Sequence, residues 1–247
     1  MTALLTMTKT EAKLFAREPV ALFFGLLFPS ILLLVIGAVI PGVREPNPDL
    51  GGLRFVDVYA PSVIAFSLVT LGVNTFPTML VGYRERGFLR RLATTPVRPS
   101  RLALVQVMVH GAVAVLATLL ALLVGRLAFD VPLPHSPLGF ALVLVLGLAG
   151  LFGLGMLVAA LAPTSSAAQG MSMLFYFPLL FFAGVYFPLE GMSGPLRTIA
   201  ALMPSGAIVS GLTATMHGAP LEAKDLAVMA VYAVGLTAVA VRTFRWE

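Results

Sequence analysis

The side chains able to do covalent or redox chemistry are few and badly placed for it. There is no cysteine, so thiolate catalysis, disulfides and cysteine metal sites are excluded. His110, His135 and His217 are scattered without the spacing of zinc ligands. Lys9, Lys13 and Lys224 are the only lysines, and none follows a glycine-rich loop, so the chain carries no phosphate-binding loop for ATP. Gly191-Met192-Ser193-Gly194 resembles the serine motif of an intramembrane protease, but its base would have to come from His110 or His217. All 11 carboxylates fall between or at the ends of long apolar runs, which leaves no evident proton relay within the runs. The polar groups inside the runs are Asn74, Gln106, His110 and Gln169. Asn74, His110 and Gln169 are candidates for a substrate path, and interhelical hydrogen bonding fits these residue types equally well.

The apolar runs that hold these groups define the class. Hydrophobic residues make up 59% of the chain, charged residues only 11%, and mean hydropathy is +0.98. A soluble domain carries about 25% charged residues. Six runs reach the length a bilayer demands, at 19–40, 58–82, 103–125, 137–162, 167–188 and 226–241. The first is too long for a signal-peptide core and reads as a retained helix. The expected fold is an all-α integral membrane protein, one transmembrane domain over residues 1–247 with six helices.

Arg and Lys then set the orientation. With the N-terminus inside, Lys9, Lys13, Arg17, Arg84, Arg86, Arg90, Arg91, Arg98, Arg101, Arg242 and Arg245 are cytoplasmic, and only Arg44, Arg54, Arg126, Arg197 and Lys224 are external. Both termini are therefore expected in the cytoplasm, with the chain a multi-pass membrane protein. The net charge of +5 serves topology, and no nucleic-acid partner is expected. Pro29, Pro61, Pro77 and Pro178 lie inside runs and predict kinks that free carbonyls. Ala149 with Gly153, and Gly155 with Ala159, predict close helix approach within a subunit or between two.

Three segments do not span. Residues 1–18 predict an interfacial helix with Lys9, Lys13 and Arg17 on one side and Leu4, Met7, Leu14 and Phe15 on the other. Glu11 and Glu18 interrupt its apolar arc, and a basic tail that only fixes topology is the alternative. Residues 83–99 predict a short helix whose Phe88, Leu89 and Leu92 form an apolar patch ringed by Arg84, Arg86, Arg90 and Arg91, stopped by Pro96 and Pro99. Such a knob fits a groove on a soluble partner. Residues 188–223 are apolar yet broken by Pro188, Pro195 and Pro204, which predicts an external re-entrant segment, either a gate or a structural plug.

With these segments in place the chain resembles the ABC-2 type permeases, the membrane subunits of bacterial ABC exporters, and within them the daunorubicin/doxorubicin resistance permeases. Glu85-x-Gly87-x5-Leu92-x3-Pro96-Val97-x-Pro99 resembles the family's coupling-helix motif. Phe187-Pro188-Leu189-Glu190-Gly191-Met192, followed by Pro204 and Gly211-Leu212, resembles its signature before the last span. The second motif departs from the family at Ser193-Gly194-Pro195, where a proline and a tryptophan are usual. The resemblance implies a permease moving a hydrophobic or amphipathic small molecule, drug or lipid-like, out of the cytoplasm or inner leaflet. It would pair with a second copy or a homologous permease and dock on two ABC ATP-binding subunits, which use the ATP and Mg while this chain binds no cofactor. The coupling residues would be Glu85, Gly87, Phe88, Leu89, Arg90, Arg91, Leu92 and Pro96, and the external ones Pro188, Glu190, Gly191 and Pro204. A permease for a lipid-linked polymer or glycolipid is the alternative within transport, and a stand-alone intramembrane hydrolase the alternative outside it.

Overall fold

A computed structural model describes residues 2–50, 52–88, 91 and 100–243. Its helices are α1 (Thr2–Phe15), α2 (Pro19–Val39), α3 (Phe55–Glu85), α4 (Ser100–Phe129), α5 (Pro137–Leu161), α6 (Ser165–Phe182), α7 (Gly194–Leu202), α8 (Pro204–His217) and α9 (Ala223–Thr243). Among the described residues α2, α3, α4, α5 and α9 are long and apolar enough to cross a bilayer. The fifth run is α6, 18 residues and so about 27 Å long at a rise of about 1.5 Å per residue. It ends at Phe182 rather than 188, because Gly184 takes φ +74° and the N–H of Val185 turns back to the Leu180 carbonyl at 3.2 Å.

The bundle is organised on α3, whose most apolar stretch is entirely buried. It contacts α2, α4, α5, α6 and α8. Two prolines shape the helices beside the groove described below. In α2 a π turn, Phe23–Leu27, ends two residues before Pro29; in α3 a π turn, Thr70–Thr75, ends two residues before Pro77. Proline has no N–H and its ring crowds the carbonyl four residues back, which is Gly25 in one case and Val73 in the other, so the helix widens. The Ser67 hydroxyl of α3 donates to the Gly25 carbonyl at 3.0 Å, so a side chain of the neighbouring helix satisfies the group that Pro29 frees. Pro61 and Pro178 sit in continuous α-helix without a π turn.

The small residues of α5 are used within the subunit. A Cβ on Gly155 would collide with the Gly72 carbonyl of α3, and one on Gly153 would sit 2.9 Å from Thr237 Oγ1 of α9. Ala149 is exposed.

The expected broken segment is the pair α7 and α8, bent by 89° at Met203. Pro204 opens α8, which packs on α5, α9 and α3. At the same end of the bundle Arg54 holds Asp57 in a bidentate ion pair, 2.7 Å for each bond, and donates to the carbonyls of Phe129 at 2.9 Å and Asp130 at 3.0 Å. The Asp57 carboxylate keeps this guanidinium above its ordinary pKa, so the clamp on the C-terminal end of α4 is permanently charged.

Candidate coupling site and transport groove

The end of α3 ties four other helices together through three consecutive side chains. Tyr83 donates to Glu11 Oε2 of α1 at 2.6 Å, and Gln106 Nε2 of α4 donates to the same oxygen at 2.6 Å. Glu11 is only 6% exposed, so these bonds are what allow a carboxylate to sit in the apolar arc of α1. Arg84 donates to the Ala159 carbonyl at 3.1 Å and to the Ala162 carbonyl, capping the C-terminal end of α5. Glu85 accepts from the backbone N–H of Ser165 at 2.9 Å and from its hydroxyl at 2.5 Å, at the first turn of α6 where the helix dipole favours a negative charge.

Beyond this triad Gly87 turns the chain with φ +68°, a conformation that costs a side-chain-bearing residue, and the Arg91 N–H reaches back to the Gly87 carbonyl at 3.2 Å. Phe88 is 38% exposed and leans on Tyr83, ring centroids 5.2 Å apart. Arg91 is exposed. The remaining members of the expected knob, Leu89, Arg90, Leu92 and Pro96, lie outside the described residues.

A groove rises from this end between α2, α3 and α6. Its lower part is a cavity of about 580 Å³ lined by Glu18, Asn74, Thr75, Arg86 and Gln169 among others. Its upper part, about 510 Å³, is apolar and aromatic, lined by Phe28, Ile36, Tyr59, Phe66 and Leu180. Phe24 and Tyr176 line both, so the two parts meet, and there the Tyr176 and Thr70 hydroxyls are 3.0 Å apart. The π turn of α3 supplies Thr70, Asn74 and Thr75 to the wall.

The sequence-derived path residues separate here. Asn74 and Gln169 are brought together across α3 and α6, the Gln169 amide donating to Asn74 Oδ1 at 3.0 Å on the groove wall. His110 lies elsewhere, fully buried between the rings of Phe15 and Phe76, at 5.0 and 5.9 Å between centroids, with Nδ1 2.9 Å from the Gln106 carbonyl. Glu11, Tyr83, Arg84 and Gln106 were not singled out as a set. The signal for them was Glu11 itself, a carboxylate on an apolar arc, which requires a partner.

At the other end Pro188 accepts the Gly191 N–H at 3.1 Å, closing the short 3-10 turn Leu189–Gly191. Ser193 is exposed. His217 puts Nδ1 on the Thr213 carbonyl of its own helix, as His110 does on Gln106, and Nε2 of each is buried without a partner among the described residues. Neither histidine is hydrogen-bonded to Ser193, so the arrangement of a serine hydrolase is not assembled.

Comparison with known proteins agrees with this architecture. Residues 2–217 match the family described as ABC-2 type transporter. The chain is similar to the probable multidrug ABC transporter permease YbhR of Escherichia coli (strain K12), 27% identical over 159 residues that make up 64% of this chain and 42% of that protein. It is also similar to the probable multidrug ABC transporter permease YbhS of the same organism, 24% identical over 167 residues, 67% of this chain and 44% of that protein. The matched region thus spans less than half the length of these relatives. A helical bundle with bilayer-length apolar helices, a broken segment before the last helix and a family match over residues 2–217 leave one assignment: this chain is an all-α, multi-pass membrane protein of the ABC-2 type transporter family.

Proposed function

We propose that the chain is the permease half of an ATP-driven exporter that moves a hydrophobic or amphipathic small molecule from the cytoplasm or inner leaflet of a bacterial inner membrane. Both termini lie in the cytoplasm, a second permease completes the pathway, and two ABC ATP-binding subunits grip the segment from Phe88 onward. ATP and Mg belong to those subunits.

The observation that supports this reading is the graded groove. Its lower walls mix polar side chains with Val20, Met79 and Met173 while its upper walls are almost wholly apolar and aromatic, and each part, at about 500–600 Å³, has the size of pockets that hold drug-sized ligands. An amphipathic molecule would leave its polar end near Asn74 and Gln169 while its apolar body meets Phe28, Phe66 and Leu180.

Movement of the ATP-binding subunits would reach the groove through the end of α3. A push on Phe88 bears on Tyr83, and Tyr83, Arg84 and Glu85 pass it to α1, α5 and α6. The paired π turns of α2 and α3 are the places where the groove walls can bend, because their backbone bonding is already widened. The test is efflux of amphipathic dyes from cells expressing the chain with its ATP-binding partner. Energy-dependent efflux that disappears when the partner's catalytic glutamate is replaced supports the reading, and efflux independent of the partner overturns it.

A further inference from the structure

A second cavity, of about 500 Å³, lies at the opposite end of the bundle between α7, α8 and the start of α9. Four charged residues line it, Arg197 of α7, Glu222 just before α9, and Lys224 and Asp225 of its first turn. Two are cations and two are anions. No opposite charge lies within ion-pairing distance of any of the four among the described residues. Asp225 is only 4% exposed and shares its wall with the Ser210 hydroxyl, and the Thr213 hydroxyl in the same wall is buried without a partner among the described residues. Burying a carboxylate beside one hydroxyl, with cations near but unpaired, is costly unless something else enters the site.

The helix α7 shows what kind of molecule would enter. Gly194, Arg197, Thr198 and Ala201, spaced three and four apart, face the cavity. Leu196, Ile199 and Leu202 are 46%, 40% and 54% exposed on its other side. A charged cleft and an apolar stripe share one nine-residue helix at the margin of the apolar bundle. We propose that this cleft binds the headgroup of a zwitterionic, amine-bearing phospholipid, its phosphate against Arg197 and Lys224, its ammonium against Glu222 and Asp225, and its acyl chains along Leu196, Ile199 and Leu202. Two charges of each sign suit a zwitterion and disfavour a purely anionic headgroup, whose glycerol would leave the carboxylates uncompensated. Only the leaflet, which is the outer one, rests on the orientation proposed above.

Native mass spectrometry of the full chain in detergent tests this without any transport step. The probes are phosphatidylethanolamine, phosphatidylglycerol and water-soluble glycerophosphoethanolamine. Phosphatidylethanolamine should be retained about fivefold better than phosphatidylglycerol, the ratio expected of one partly screened ion pair. Glu222→Gln should reduce that preference, and Arg197→Gln should weaken retention of both lipids; both residues are exposed, so neither substitution endangers folding. Equal retention of the two lipids by the native chain, an unchanged preference in Glu222→Gln, or equal competition by glycerophosphoethanolamine would overturn the proposal. Dye efflux that does not depend on the ATP-binding partner, with the lipid preference intact, would overturn the exporter reading alone.

Discussion

Glu85 at the end of α3 and Ser165 at the start of α6 are joined by two hydrogen bonds onto a single carboxylate oxygen, 2.9 Å from the backbone N–H and 2.5 Å from the hydroxyl. They are 80 residues apart in the chain and lie where the coupling segment begins. Glu85 therefore attaches the end of α3 to a helix that lines the groove. Glu85→Gln and Ser165→Ala should both lower ATP-driven efflux while membrane insertion and association with the ATP-binding subunits persist. Co-purification alongside dye efflux separates these outcomes, and loss of association in both variants would place Glu85 in the docking surface instead.

Removing Glu11 should destabilise the protein. Glu11→Ala leaves the Tyr83 hydroxyl and the Gln106 amide without their common acceptor in a buried place, at a cost of about 1–3 kcal/mol. Glu11→Gln keeps one acceptor oxygen and should recover part of the loss. Thermal unfolding of the purified variants in detergent measures both, and a Glu11→Ala variant as stable as the native chain would show that α1 does not depend on this contact.

The crossing of α3 and α5 leaves no room for a side chain at Gly155. Gly155→Leu should prevent accumulation of folded protein, and Gly155→Ala should lower stability by about 1–3 kcal/mol because the Gly72 backbone must move. The same substitution at Gly170, which has open space around it, serves as the control; it should cost nothing beyond helix propensity, and Ala there favours the helix. Expression level and melting temperature decide between them.

Asn74→Leu with Gln169→Leu replaces the hydrogen-bonded pair on the groove wall by apolar side chains. Efflux of substrates with a polar end should fall relative to that of purely apolar ones, while ATP hydrolysis by the assembled complex in the absence of substrate stays near its native rate. A uniform fall across both substrate sets would show that the pair holds the helices rather than the cargo.

The spans were legible because bilayer thickness imposes a length that any long apolar run reveals, but of the four prolines read as kinks only Pro29 and Pro77 follow a π turn, and Pro61 and Pro178 do not. That Ser67 would satisfy the carbonyl freed by Pro29 was not legible, since it depends on the register of two helices 42 residues apart. Glu11 looked like a defect of an amphipathic helix, because the helix alone does not disclose Tyr83 and Gln106, 72 and 95 residues away. Asn74, His110 and Gln169 looked alike in sequence. Packing separates them: Phe15 and Phe76 enclose the imidazole, whereas the two amides meet on an open wall.

The coupling claim is tested most directly by reconstituting the chain in vesicles, alone and with its ATP-binding partner, and following accumulation of an amphipathic dye on addition of ATP and Mg. With the partner, dye should accumulate against its gradient, and Phe88→Asp should abolish accumulation without removing the chain from the membrane. Accumulation by the chain alone, or undiminished accumulation by Phe88→Asp, would contradict the account.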